Sequence, residues 1–395
     1  MMSHRRRTLS LLRGLTGVCV CRPVGPPARP SSGGPTAAAA AALGGGGPAL
    51  ILHSRSTDVY QNLALEDWID ANVDLRRRSV LLLWRNRPAA VIGRHQNPWA
   101  ECDLRAMRRA GIPLARRRSG GGTVYHDLGN LNMTFFTCRT RYDRQRNLRV
   151  VTDALKALRP GLDVQTNHRL DILLDGQYKI SGSASRLARS SAYHHLTLLH
   201  SADRSALSAL LRPTSGAILS RATPSVPSPT ANLLDRLPTM HWDELLGALV
   251  EQYNTEFGFS APVTPVDPSD ESAFPGAGGS AAELRSWDWL FGRTPAFAVE
   301  TSLDLTDERS SARSSALLRM EVKSGVIARC ELRVSSAWLP AALSGELSGR
   351  LEGERFGPAA AAAATAAAAV LLPPQPAALR HRLQALSHAV AALMG

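Results

Sequence analysis

An α/β domain followed by a smaller α+β appendix is the architecture this sequence predicts. Three observations carry it. Up to about residue 297, apolar patterns of helical period alternate with short apolar runs of strand type, as in a sheet flanked by helices. The pair Asp175-Gly176 separates two such runs and suits the positive φ angles of a type I′ hairpin turn. Near Phe297 the composition changes, and one long hairpin pattern and an alanine-rich tract follow. The chain therefore divides into a leader (1–48), a main domain (49–298) and an accessory domain (299–395). No internal repeat interrupts this order.

Residues 1–57 hold seven arginines and no Asp or Glu, and run through PVGPPARPSSGGPTAAAAAALGGGG. An acid-free, arginine-rich start reads as a cleavable mitochondrial presequence, which places the mature protein in the matrix. LLRGLTGVCV is broken by an arginine and does not read as a secretory signal. TDVYQNLALEDWIDANV reads as a helix capped by Thr57 or Asp58, with Leu65, Trp68, Ile69 and Val73 on one face. VLLLWR and AAVIG are strands joined by a turn containing Pro88. The hairpin in LDILLDGQYKISG puts Lys179 on its second strand. In AYHHLTLLH, Tyr193, His195 and Thr197 share one face and His194 takes the other. HWDELLGALVEQYNTEFG is an amphipathic helix. Residues 260–280, rich in Pro, Ser and Gly, read as a loop before a shorter helix at AAELRSWDWLFG. Beyond Phe297, ALLRMEVKSGVIARCELRV reads as a hairpin turning at Lys323–Gly325, with an alanine-rich helix after it.

The formal charge of +13 raises the question of nucleic-acid binding. Seven of the positive charges lie in residues 1–57, and the rest of the chain carries 39 basic against 33 acidic residues. That remainder lacks the basic and aromatic interleaving of a nucleic-acid surface, so a non-catalytic basic binding protein is supported by charge alone. Cys102, Cys138 and Cys330 stand apart without metal or redox spacing and read as reduced packing residues. His194 and His195 point to opposite faces and no HExxH occurs, so no metal site is expected. No apolar run reaches the roughly 20 residues needed to span a bilayer. The tract Ala359–Ala369 is too short, and Pro373 and Pro374 close it.

RRRSGGGTVYHDLGN (Arg116–Asn130) is the stretch with most chemistry. Three glycines remove the Cβ atoms that block a ligand, and their N–H groups can form an anion-binding concavity. Neither the Walker nor the dinucleotide spacing is present, and no G-x-S-x-G elbow occurs. By itself the stretch reads more readily as a flexible turn on a basic surface. Lys179 is singled out differently: the chain has three lysines against 43 arginines, so a lysine in YKISGSAS marks a position where a compact ammonium is needed, or else a solvated strand residue.

RRRSGGGTVYHDLGNLNMTF, then DILLDGQYKISGSAS, then AYHHLTLL, resemble the lipoate-protein ligase and lipoyltransferase family. VIGRHQNPWAEC, ILSRATPSVPSPTANLL and SWDWLFGRTPAF fit the same family in order, so the resemblance covers about Leu50 to Phe297. It implies a catalytic domain of the biotin and lipoate protein ligase type, a mixed sheet flanked by helices, plus the small C-terminal α+β domain. It implies Lys179 as the catalytic residue, and a lipoyl-AMP pocket with Arg117, Ser119, Gly121, Gly122, Tyr125, His126 and Asn130 on one wall. Arg169, Asp171, Ala184, His195 and Thr197 form the other wall, with Val226 and Ser228 closing over the nucleotide. No tightly bound cofactor and no metal is implied; lipoyl-AMP is the bound donor. With Leu196 in the strand and no cysteine between Cys138 and Cys330, a thioester intermediate is not expected. The implied activity is lipoyl transfer, from lipoylated glycine-cleavage H protein or lipoyl-AMP, to a lysine on the lipoyl domain of 2-oxoacid dehydrogenase E2 subunits. An ATP-dependent lipoate ligase that makes its own lipoyl-AMP is the enzymatic alternative. A monomer with neither nucleic-acid nor membrane partner is expected.

Overall fold

The computed structural model describes residues 47–212, 216–307, 312–371 and 377–395. The leader up to residue 46, with Pro373 and Pro374, lies outside the described residues. The chain opens with β1 (Ala49–Ser54), α1 (Val59–Asn72), β2 (Ser79–Trp84) and β3 (Ala89–Ile92). Two short helices, α2 (Pro98–Glu101) and α3 (Leu104–Ala110), precede β4 (Leu114–Arg116), β5 (Val124–His126) and β6 (Asn130–Cys138). After α4 (Arg144–Leu158) come β7 (Val164–Thr166), β8 (Ile172–Leu174), β9 (Tyr178–Ser181), β10 (Ser183–Leu187) and β11 (Ser191–Leu199). Next are α5 (Arg204–Leu210), β12 (Ile218–Ser220), α6 (Trp242–Phe257), β13 (Val263–Val266), α7 (Ala277–Arg285) and α8 (Trp287–Leu290). The C-terminal part is β14 (Phe297–Thr306), β15 (Arg313–Lys323), β16 (Val326–Val334), α9 (Ala341–Leu351), α10 (Pro358–Leu371) and α11 (Ala377–Leu393).

Six strands form a central mixed sheet in the order β10-β11-β6-β2-β1-β13. β1 runs parallel to β2 and β13, and the other pairs are antiparallel. Strand alternation sorts the residues of VLLLW into two layers. Val80, Leu82 and Trp84 join a core with Leu65 and Ile69 of α1 and Leu284 of α7. Leu81 and Leu83 join another, with Leu148 and Leu155 of α4 and Leu245 and Leu249 of α6. A sheet covered on both faces needs apolar residues at successive positions, which explains the uninterrupted run. The expected mixed sheet between helices is therefore present. Of the two cap candidates for α1, Asp58 serves: its Oδ1 accepts from the N–H of Tyr60 (2.9 Å) and Gln61 (3.0 Å).

β2 and β3 are the expected strands on either side of the turn containing Pro88, and β3 lies in a separate sheet of order β4-β3-β5. Two local expectations need correction. The segment expected to be a loop over 260–280 contains β13, paired with β1 from Ile51–Val263 to Ser54–Val266. Pro265 hides it in the sequence, yet proline is tolerated on an edge strand, where no ladder partner waits for its missing N–H. The helix expected at AAELRSWDWLFG is two helices, broken at Ser286, whose Oγ accepts from Trp289 N at 3.2 Å.

In the C-terminal layer β14, β15 and β16 form an antiparallel meander, joined by β12 from the middle of the chain. Its turn sits at Ser324 (φ 51) and Gly325 (φ 72), within the expected Lys323–Gly325. Trp99 of α2 lies among Phe291, Phe297 and Phe356, with ring centroids 5.1, 5.4 and 5.2 Å away. One apolar core thus runs from α2, α3 and β3 into the C-terminal strands and helices.

Candidate active site

Four segments meet on one face of β6 and β11: the glycine loop between β4 and β5, the β8–β9 hairpin, β10, and a proline-rich strap over residues 223–231. They enclose a cavity of about 290 Å³. A second cavity of about 350 Å³ adjoins it, and Lys179, Gly182, Thr197 and Val226 belong to both walls. Arg117, Gly121, Gly122, His126, Arg169, Asp171, Lys179, Ala184, His195, Thr197 and Val226 line the first cavity. Tyr125 and Ser228 line the second. Ser119 and Asn130 lie behind the walls, bonded to His195 and Asn132 respectively.

The hairpin places the lysine. Asp175 (φ 54) and Gly176 (φ 69) make the tight turn that the sequence predicts, and Lys179 follows on β9. Its Nζ is 2.8 Å from Asp171 Oδ1, while Arg169 Nε stands 3.9 Å from the other oxygen. Asn167 folds the turn that presents both, its Oδ1 accepting from the N–H of Arg169 (2.9 Å) and Asp171 (3.0 Å). The lysine tip passes over Gly182: a Cβ there would lie 2.8 Å from Lys179 Cε and 2.9 Å from Nζ.

The strap ties the two walls together. Lys179 N donates to Pro229 O (2.8 Å) and Ala231 N donates to Lys179 O (3.2 Å). At its other end Ser225 Oγ accepts from Thr123 N (2.8 Å) and from Gln96 Nε2 (3.1 Å), and hydrogen-bonds the Glu101 carboxylate. The segment therefore bridges the lysine strand and the glycine loop.

The arginines of RRRSGGG are matched by acceptors within the protein. Arg117 Nη2 donates to Gly120 O (2.7 Å) and Gly122 O (2.6 Å), Nη1 to Val91 O (3.0 Å), and Nε to Ser119 Oγ (3.0 Å). The guanidinium is an internal brace that shapes the loop rather than a free grip on phosphate, since a buried cation must be matched by acceptors. Burial lowers its pKa to about 10, which leaves it charged at neutral pH. Arg116 is braced in the same way by the carbonyls of Leu290, Arg94 and Gln96. Arg118 pairs with Asp67 at 2.5 Å and lies over the Trp289 ring. Gly121, at φ 84, is where the loop turns, in a region that other residues rarely adopt.

Behind the loop runs a hydrogen-bonded series that the sequence reading did not foresee. Ser119 Oγ lies 2.8 Å from His195 Nε2, and His195 Nδ1 lies 3.0 Å from Glu66 Oε1. Thr134 Oγ1 donates to the same carboxylate oxygen and accepts from Trp84 Nε1 at 3.1 Å. His126 Nδ1 is 2.9 Å from Asn86 Nδ2. Burial pushes its pKa down to about 3, with Arg117 and His195 adding to the effect, so the ring is neutral. Glu66, Asn86, Gln96 and Ser225 were all missed. The available hint for Glu66 was an acid one helical turn from both Asn62 and Ile69, on the buried side of α1. Among the described residues no group of three His, Cys, Asp or Glu could hold a metal ion, and no helix is long and apolar enough to cross a membrane.

Residues 58–254 match the lipoyl protein ligase A/B catalytic domain. Over 309 residues, 78% of this chain and 82% of the relative, the sequence is 47% identical to the mitochondrial lipoyl amidotransferase of Mus musculus. The Homo sapiens protein of that name matches to the same extent. The chain belongs to the lipoyl protein ligase A/B family. Among solved structures similar to this family member, LipL1 of P. falciparum in complex with lipoate has a TM-score of 0.54 at 23% identity, covering 80% of this chain and 94% of its own. The Ta0514 protein of T. acidophilum has a TM-score of 0.51 at 23% identity, over 62% of this chain and all of that one. At that identity they establish the lipoate ligase type of fold.

Proposed function

We propose that this amide-forming acyltransferase binds lipoyl-AMP across the two adjoining cavities and passes the lipoyl group to a lysine on the lipoyl domain of 2-oxoacid dehydrogenase E2 subunits. The observation that carries the reading is the Lys179 ammonium at the junction of the two cavities, held against Asp171 and over Gly182. The acyl chain would lie in the first cavity against Leu63, Val91, Val124 and Leu196. The nucleotide would lie in the second, against Tyr125 and beneath Val226 and Ser228 of the strap.

In this reading the nucleophile is the acceptor's lysine ε-amine, arriving neutral. Its lone pair attacks the acyl carbonyl carbon, the new C–N bond forms, the bond from carbon to the phosphate oxygen breaks, and AMP leaves with that electron pair. The amine proton passes to solvent. Lys179 stabilises the oxygen as charge develops on it, and the glycine loop holds the leaving phosphate through its backbone N–H groups. Asp171 keeps the ammonium from swinging into solvent, while the strap keeps water from the anhydride. Lipoylated glycine-cleavage H protein is the proposed upstream donor, the mitochondrial matrix the compartment, residues 299–395 an accessory domain, and the chain a monomer.

The test offers purified protein an apo lipoyl domain with three donors in turn: lipoyl-H protein, lipoyl-AMP, and lipoate with ATP. Transfer from either of the first two is expected. Lipoate-dependent pyrophosphate release from ATP would identify a ligase that makes its own adenylate. No transfer from any donor, with steeply salt-dependent RNA binding, would replace the proposal with a basic binding protein.

A further inference from the structure

The hydrogen bonds behind His126 have a direction. Asn62 Nδ2 donates to the carbonyls of Ser56 (3.0 Å) and Arg85 (3.1 Å), which fixes which end of that amide is nitrogen. Its Oδ1 accepts from Ser54 Oγ at 2.6 Å. Asn86 Oδ1 lies 2.8 Å from the same Nδ2 and shares one of its two hydrogens, since an NH₂ group turned that way would find no acceptor, so Asn86 turns its own Nδ2 towards His126 Nδ1, 2.9 Å away. An amide NH₂ only donates; Nδ1 must therefore carry the lone pair, and the neutral ring's proton sits on Nε2. Ser54, Asn62, Asn86 and His126 are all buried, so no water competes for this order.

We infer that Asn86, oriented by Asn62 and Ser54, is a positioning residue for transfer: it fixes His126 as an uncharged imidazole offering Nε2–H to the acyl cavity. The inference rests on the acyl reading of that cavity. Trp84 meets the His126 ring edge to face at 5.7 Å and pairs across the sheet with Asn132, which pairs with Thr197. Thr197 N donates to Gly182 O, beneath the Lys179 tip. His126 thus stands at the far end of the row that leads to Lys179. There, opposite the carbonyl end of the acyl chain, a neutral ring can turn Nε2–H towards the lipoyl ring's sulfur, a weak acceptor, without burying a full positive charge against an apolar group. The groups facing the ring agree with this role. Arg117 and His195 both disfavour a second proton on it. Asp127, next in the chain, turns its carboxylate to the N–H groups of Gly129 (2.9 Å) and Asp203 (2.7 Å) instead.

The test uses the full chain with ¹⁵N-labelled histidine, His126 being assigned by the resonance that disappears in His126→Gln. The wild-type ring should report protonation on Nε2 alone, unchanged from about pH 8 to about pH 5.5. Asn86→Asp replaces the donor by an acceptor, which draws the neutral ring's proton to Nδ1 and leaves Nε2–H only in the cation. The ratio of variant to wild-type transfer from lipoyl-AMP should then rise about tenfold per pH unit as the pH falls towards the ring's new pKa. Taking the ratio removes the titration of the acceptor amine. A wild-type ring protonated on Nδ1, or titrating above about pH 5.5, overturns the inference without needing any variant to fold. A ratio that stays flat with pH overturns the role in transfer. Absence of wild-type transfer from lipoyl-AMP would remove the acyl reading, and the catalytic part of this inference with it, while leaving the tautomer result to stand.

Discussion

Lys179 was legible because the chain holds 43 arginines and three lysines, so a lysine within a strand motif stood out. Its surroundings were not. Asp171 and Gly182 become meaningful once the hairpin closes and the tip lies across the glycine. Lys179→Arg should lower transfer about a hundredfold with an unchanged unfolding midpoint, because a planar fork does not place its charge where the ammonium does. Gly182→Ala should also cost about a hundredfold: the side-chain tip can move aside, so the fold survives, but Nζ is displaced. Single-turnover rates beside denaturant curves check both; unchanged rates would remove the lysine from the mechanism. Arg117 was legible as a residue of the cavity wall but its bracing role was not, since sequence does not show that loop carbonyls will surround it. Protonation supplies a further prediction. Burial lowers the pKa of His126 and of His194 from 6.5 to about 3. The stability this contributes is full above pH 6.5 and falls as the pH drops towards 3. The slope approaches about 1.4 kcal/mol per pH unit for each ring. Urea midpoints at pH 7 and at about pH 5 should differ accordingly, and His194→Leu should shrink the difference.

At the scale of elements, periodicity found what was regular. α1, α6, β11 and both hairpins appear where apolar spacing and turn pairs place them. β13 escaped because its four residues include a proline and carry no alternation that a short window can detect. The pairing of β3 with β4 and β5, rather than with β2, escaped because strand order is decided by partners far along the chain. Gly176→Val tests the hairpin. A β-branched residue at φ 69 should cost about 1–2 kcal/mol, and because Lys179 follows on the same hairpin, transfer should fall with it. Stability unaffected by this substitution would show that the turn is not held as described.

For the whole molecule, the sheet between two helical layers followed from the uninterrupted strands and the amphipathic helices. The shared core around Trp99 did not, because the aromatic partners Phe291, Phe297 and Phe356 are dispersed over sixty-five residues of sequence. Trp99→Ala should cost about 3–5 kcal/mol and should loosen the C-terminal strands together with α2 and α3, which hydrogen exchange followed by fragment can locate. Loosening confined to α2 would contradict a continuous core. Such a core matters to the site, since β4 and β5 flank the glycine loop and β3, between them, is anchored in it. The central claim is that the two cavities together make a lipoyl-AMP site from which the acyl group moves to a protein lysine. Intact-mass measurement of an apo lipoyl domain incubated with lipoyl-AMP and this protein tests it most directly. The account predicts the mass of one lipoyl group added to one lysine by the wild type and almost none by Lys179→Arg; a domain left unmodified by the wild type, or modified equally by both, would contradict it.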